Sequence, residues 1–200
     1  DLPGGGVRFA NSYASTECTV TALIHLSGEG SLARARAGHR IPVGRPIDNC
    51  RVYVLDAEME PVPIGVHGDV YIGGANVSRG YLQHPERTAG VFLPDPFGTC
   101  GPGGRLYRQG DRGRFLPTGE LECLGRSDDQ VKVRGYRVEP GEIEAVLARH
   151  PGVRECVVLV RDDGAAGRRL VGYVAEDPDH RPTAEELRAY LKASLPEYMV

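Results

Sequence analysis

The chain has 200 residues, of which 40% are apolar and 26% charged, and it carries a formal net charge of −3. These values suit a globular protein with room for a core. They exclude a general nucleic-acid surface, which is normally basic, and no apolar run approaches the roughly 20 residues that span a bilayer. Neither nucleic acid nor membrane is therefore expected as a partner. Five cysteines, Cys18, Cys50, Cys100, Cys123 and Cys156, are widely spaced and form no C-x-x-C pair. That pattern points to a reducing, cytoplasmic setting rather than to a disulfide framework or a zinc site. No signal peptide is visible at the start. The opening "DLPGGGVRFANSY" and the closing "LPEYMV" read as pieces of something larger.

In chain order, "ECTVTALIHLSGE" (17–29) is a mostly apolar run that suits a strand or a short helix. The Gly-, Pro- and Arg-rich stretch that follows, up to Pro46, reads as a solvated loop. Its arginines Arg34, Arg36 and Arg40 leave a phosphate patch as the alternative. "RVYVLD" (51–56) and "GDVYIGG" (68–74) alternate as strands do, and "GRFLPTGELECLGR" (113–126) reads as a hairpin turning at Pro117–Gly119. "PDPFGTCGPGG" (94–104) is too rich in Pro and Gly to be regular. Short strands between such turns predict a small β-barrel or sandwich.

Near Gly125–Asp129 the pattern changes. A strand is predicted over 131–138, then a helix from Pro140 through "GEIEAVLARH", stopped by Pro151-Gly152. "VRECVVLVR" (153–161) reads as a strand covered on both faces. "RRLVGYVAE" (168–176) is another strand, and Thr183 with Glu186 forms a capping box for a helix over 184–194. This second part is a compact α+β unit.

Four stretches carry candidate chemistry. "NSYASTE" (11–17) gathers an amide, an aromatic, hydroxyls and a carboxylate, which can stack on a base, meet phosphate and hold Mg²⁺; a polar turn is the structural alternative. In "YRQGDRG" (107–113), Asp111 offers a carboxylate suited to a ribose diol, or else an Asx turn. "GRSDDQVKVRGYRVEPGEIE" (125–144) sets Arg126, a planar donor fork, and Lys132, a point charge, around a boundary marked by Asp128 and Asp129. "GDVYIGGANVSRGYL" (68–82) favours a purely structural reading, a strand and a tight loop. The P-loop, Rossmann, HExxH and GxSxG signatures do not occur.

Taken in order, these stretches and "LPEYMV" resemble the adenylate-forming superfamily, and most closely the amino-acid adenylation domains of nonribosomal peptide synthetases. The resemblance covers essentially the whole chain. It implies an α/β and α+β fold: residues 1–127 as the β-rich C-terminal end of the large subdomain, a distorted β-barrel, and 128–200 as a small mobile α+β subdomain, cut before its catalytic lysine. It implies activation of an amino acid by ATP and Mg²⁺ and transfer to the phosphopantetheine of a carrier (thiolation) domain. A condensation domain would stand in the same synthetase, with an MbtH-like protein as a further partner.

The resemblance also assigns roles. Tyr13 stacks on adenine and Asn11 meets its amino edge. Thr16 contacts phosphate and Glu17 holds Mg²⁺. Asp111 takes the ribose hydroxyls with help from Arg126. Lys132 reaches the nucleotide; with Thr16 and Glu17 it makes the catalytic set. Asp128 is the hinge, Gly135 lies near the thiol's approach, and Ser12, Val20 and Thr21 line the amino-acid pocket. Ala14-Ser15 stands where the family usually has Gly-Pro, and Gln109 and Arg112 where it often has Thr and Leu. The family's upstream phosphate loop and its downstream lysine fall outside the chain, so the 200 residues alone are expected to be inactive. An acyl- or aryl-CoA ligase of the same superfamily, or a degenerate non-catalytic platform, are the alternatives.

Overall fold

The computed structural model describes residues 9–162 and 167–200. The chain divides into two compact units, Asp1–Ser127 and Asp128–Val200, each with its own apolar core.

In the first unit, β1 (Phe9–Tyr13), β2 (Leu23–Ser27) and the two-residue β3 (Arg45–Pro46) form an antiparallel three-stranded sheet. A larger sheet holds β4 (Cys50–Leu55), β5 (Gly68–Gly74), β6 (Phe92–Pro94), β7 (Arg105–Phe115) and β8 (Leu121–Arg126). Its order is β4-β5-β7-β6, with β8 on the other half of β7. The eleven-residue β7 is thus the spine. The β7–β8 hairpin turns where predicted, with Leu116 N–H on Glu120 O and Gly119 N–H on Leu116 O, both at 2.8 Å. The two sheets meet where Gly44 bridges Leu121. Gly44 has φ +98, and a Cβ there would lie 1.9 Å from Ile24 O. Only glycine allows that approach. The core between them includes Cys18, Leu23, Val70, Ile72, Tyr107 and Leu121.

The Arg-rich stretch is a correction: residues Glu29–Arg36 form a helix, α1, not a loop. Buried His25 ties it down, with Nδ1 2.7 Å from Glu120 Oε1 and Nε2 2.7 Å from Ser31 Oγ. Arg34 Nη2 lies 3.5 Å from the buried Glu122 carboxylate, which also pairs with Arg114 at 2.7 Å. Arg40 donates to Cys123 O at 3.2 Å. Two of the three arginines are therefore occupied by the protein itself. A second helix, α2 (Pro85–Val91), starts on a proline and adds an element that the sequence reading does not contain.

In the second unit, the strand predicted over 131–138 is a hairpin, β9 (Val131–Val133) and β10 (Tyr136–Val138). Arg134 and Gly135 turn it with φ +50 and +85, as a two-residue primed turn requires. Pro140 opens α3 (Pro140–Leu147). The strands β11 (Val153–Asp162) and β12 (Arg168–Glu176) pair antiparallel as a two-stranded ribbon. Val158 packs into the core, whereas Val157 and Leu159 are 43% and 49% exposed. β11 is thus covered on one face, not two. Thr183 caps α4 (Ala184–Lys192) with the predicted box, its Oγ1 accepting from Glu186 N–H at 3.2 Å and Glu186 Oε2 accepting from Thr183 N–H at 2.7 Å.

Candidate functional site

Asp111 lies inside β7, not in a turn. Gly110 before it has φ +75, and the ladder slips on both sides, against β5 at Asp69/Tyr71 and against β8 at Arg112/Gly113. Such bulges re-aim a side chain. The carboxylate meets Tyr13, 98 residues away in sequence, whose hydroxyl donates to Asp111 Oδ2 at 2.5 Å. Arg126, at the end of β8, reaches Asp111 Oδ1 at 3.5 Å. Burial, then the Cys123 thiol and Asp111, push the Tyr13 phenol far above its ordinary range. Tyr13 is therefore a fixed donor. Burial likewise raises the Cys123 thiol to about 11. A carboxylate has about four lone-pair sites, so Asp111 keeps acceptor capacity beyond these two contacts.

After β1 the chain turns through a short 3₁₀ segment, Thr16–Cys18. Thr16 is exposed, while Glu17 is only 8% exposed and accepts the Tyr81 hydroxyl at 2.6 Å. Thr19 and Val20 follow at φ +54 and +69, an uncommon conformation for β-branched residues and one that needs support from its surroundings. Ser12 and Thr21 share a 2.8 Å hydroxyl contact, and Val20 beside them is 77% exposed. Asn11 donates to Pro42 O at 3.2 Å. The first unit thus joins Tyr13, Asp111 and Arg126 in one cluster and Ser12 and Thr21 in another, with Glu17 on the same connecting turn.

Among the described residues no group of three or more His, Cys, Asp or Glu is placed to hold a metal. A single buried carboxylate fits magnesium none the less, because that ion keeps waters and commonly takes one or two carboxylates plus substrate phosphates.

The remaining predicted residues belong to the second unit. Asp128 Oδ1 accepts from Gln130 N–H at 3.2 Å, a local Asx-type contact. Lys132 is exposed on β9 opposite Arg137. Gly135 is at the tip of the β9–β10 hairpin, with nothing within 4 Å of a Cβ built there.

Sequence reasoning misses three contributors. Tyr81 and Asn76 lie in the stretch that reads as structural, and both reach the 16–19 turn. Buried Gln109 accepts the Ser15 hydroxyl at 3.1 Å. The Gly73-Gly74 pair before Asn76 is the available signal for a tight loop, whereas nothing in the sequence pairs Ser15 with Gln109.

This arrangement can be set beside known proteins. Residues 2–82 match the family described as AMP-binding enzyme, and residues 142–200 match the AMP-binding enzyme C-terminal domain. The chain belongs to the AMP-binding enzymes. Within them it is of the type found in nonribosomal peptide synthetase adenylation domains. One of the linear gramicidin synthase subunits of Brevibacillus parabrevis is 52% identical over 98% of the chain, and phosphinothricin tripeptide synthetase PhsC of Streptomyces viridochromogenes is 51% identical over 95%. The chain spans 2% and 17% of the length of these two relatives. Among solved structures, IdnL1 superposes with a TM-score of 0.78 at 30% identity, over 96% of this chain and 38% of that one. PA1221, an NRPS protein containing adenylation and PCP domains, superposes with a TM-score of 0.75 at 28% identity, over 96% and 37%. Among the described residues no helix is long and apolar enough to cross a membrane.

Proposed function

We propose that this adenylation-type chain belongs to a synthetase that activates an amino acid with ATP and hands it to a carrier domain. The observation that carries the reading is the convergence of Tyr13 and Arg126, from two other strands, onto the Asp111 carboxylate. In the first half-reaction a substrate carboxylate oxygen attacks the α-phosphorus of ATP. The bond to the bridging oxygen of the β-phosphate breaks, and pyrophosphate leaves with the electron pair. In the second, a phosphopantetheine thiol displaces AMP from the acyl-adenylate.

The residues present would do positioning and electrostatic work. Asp111 accepts the ribose hydroxyls, while Tyr13 and Arg126 hold its two oxygens in place. The Tyr13 ring offers a stacking face for adenine, and Asn11 an amide edge. Thr16 meets phosphate. Glu17 holds magnesium, which supplies charge neutralisation at the phosphates. Ser12, Val20 and Thr21 line the amino-acid pocket. In the second unit, Lys132 serves the nucleotide, Asp128 the hinge and Gly135 the approach of the thiol. A condensation domain, the carrier domain and an MbtH-like protein are the proposed partners, and the cytoplasm is the proposed place of action.

ATP–pyrophosphate exchange by the full-length protein, across an amino-acid panel and with or without an MbtH-like protein, tests the reading. Exchange stimulated by one amino acid is expected, and Asp111→Ala is expected to lower it by roughly 100-fold, the order seen when a positioning contact is lost. Silence from a folded protein in every condition overturns it. Formation of a free CoA thioester in place of a carrier thioester would make it a ligase instead.

A further inference from the structure

We propose that Tyr81 is the positioning residue of Glu17, holding its carboxylate where magnesium meets the nucleotide. This rests on the reading of Glu17 as the magnesium carboxylate.

The turn that carries Glu17 needs outside support, because Thr19 and Val20, which end it, sit at positive φ. Residues 76–81 supply such support. Asn76 O accepts the Thr19 hydroxyl at 2.8 Å, and Asn76 Nδ2 donates to Cys18 O at 3.2 Å. Ser78 N–H donates to Glu17 O at 2.8 Å. Two of these contacts hold backbone carbonyls of the turn, and the third holds the Thr19 side chain. On the Glu17 carboxylate itself, the Tyr81 hydroxyl donates to Oε1 at 2.6 Å, the separation of a charge-assisted O–H···O⁻ bond.

Tyr81 is itself held by further contacts. Its N–H donates to Thr88 Oγ1 at 2.9 Å, and the Arg87 guanidinium lies 4.8 Å from its ring centroid. The ring also meets Phe92 edge-on, with centroids 5.7 Å apart. Gly80 makes the clasp possible, since a Cβ there would lie 2.4 Å from Thr88 Cγ2. Burying a carboxylate is costly without a hydrogen-bond donor, and the Tyr81 hydroxyl supplies one. A phenol anchored at its backbone, its ring and its hydroxyl fixes the direction of that carboxylate, as partners of metal ligands do.

The test uses the full-length protein with Mn²⁺ and a non-hydrolysable ATP analogue, following free Mn²⁺ by electron paramagnetic resonance, alongside the Mg²⁺ dependence of pyrophosphate exchange. Tyr81→Phe keeps the ring and removes the donor. It is expected to weaken Mn²⁺ binding roughly 10-fold and to raise half-saturating Mg²⁺ to match, with the KM for ATP at saturating Mg²⁺ unchanged. Thr88→Val, which loosens the clasp from behind, is the second variant and is expected to move Mn²⁺ binding in the same direction. Glu17→Gln separates the two levels. If it leaves Mn²⁺ binding intact, the assignment of Glu17 falls, and the positioning role with it. If it weakens Mn²⁺ binding while folded Tyr81→Phe and Thr88→Val bind Mn²⁺ as the parent does, the role of Tyr81 falls alone.

Discussion

Ser15 and Gln109, two positions that the resemblance marks as departures from the family pattern, touch each other. The Ser15 hydroxyl donates to Gln109 Oε1 at 3.1 Å, and Gln109 is 4% exposed. A buried amide oxygen that loses its donor costs about 1–3 kcal/mol, so the two departures support each other. Ser15→Ala and Gln109→Ala are each expected to lower stability, with a coupling of about 1 kcal/mol between them. Urea unfolding of both single variants and the double variant measures this, and additive losses would mean the contact does nothing. Asp95 works on the same scale. It accepts the N–H groups of Phe97 at 2.9 Å and Cys100 at 2.8 Å and the Thr99 hydroxyl at 3.2 Å, ordering the Pro- and Gly-rich loop. Burial opposes its charge, but the Cys100 and Phe97 N–H groups outweigh it and hold the carboxyl below its ordinary 3.8. A depressed folded value means stability that is present above pH 3.8 and lost as pH falls through the folded value. Asp95→Asn is expected to flatten that acid limb in a pH series of thermal melts; an unchanged limb would exclude the loop as its source.

At the scale of elements, the strands read well because alternation and turn chemistry agree. β4, β5 and the β7–β8 hairpin occupy the segments that period-2 patterning marks. The failures have particular causes. Composition hides α1, because Gly, Pro and Arg read as loop while its anchors, Glu120 and Glu122, lie far along the chain. The 131–138 hairpin reads as one strand because Val131–Val133 and Tyr136–Val138 each look strand-like and only the two residues Arg134-Gly135 separate them. β11 reads as covered on both faces because its apolar run does not reveal which partner strand or helix lies above it. For the site, residue types in "NSYASTE" and "YRQGD" are legible, whereas Tyr81 is not, since its 2.6 Å contact with Glu17 joins residues 64 apart. Gly44 shows how much one element junction demands. Gly44→Ala would place a methyl 1.9 Å from Ile24 O at φ +98. Loss of more than about 3 kcal/mol, the range of severe backbone clashes, is expected in chemical unfolding, and a near-neutral result would mean the sheets can part there at little cost.

At the scale of the whole molecule, the two units have separate cores. Leu121 and Tyr107 belong to the first, Leu147 and Val158 to the second. Leu121 is fully buried and Leu147 is 3% exposed. Truncating either leaves a cavity whose cost is about 2–5 kcal/mol. Because each cost falls on one core, the effects should not be shared. Leu121→Ala is expected to lower the unfolding of the first unit and leave signals from the second unchanged, with Leu147→Ala doing the reverse. A tyrosine fluorescence or NMR melt that follows Tyr107 for the first unit and the stacked Tyr136–Tyr198 pair, whose centroids are 4.3 Å apart, for the second resolves the two. A single transition displaced equally by both variants would show that the units unfold as one cooperative body. Two transitions displaced one at a time would show that the second unit keeps its fold independently of the first, which the hinge proposed at Asp128 requires.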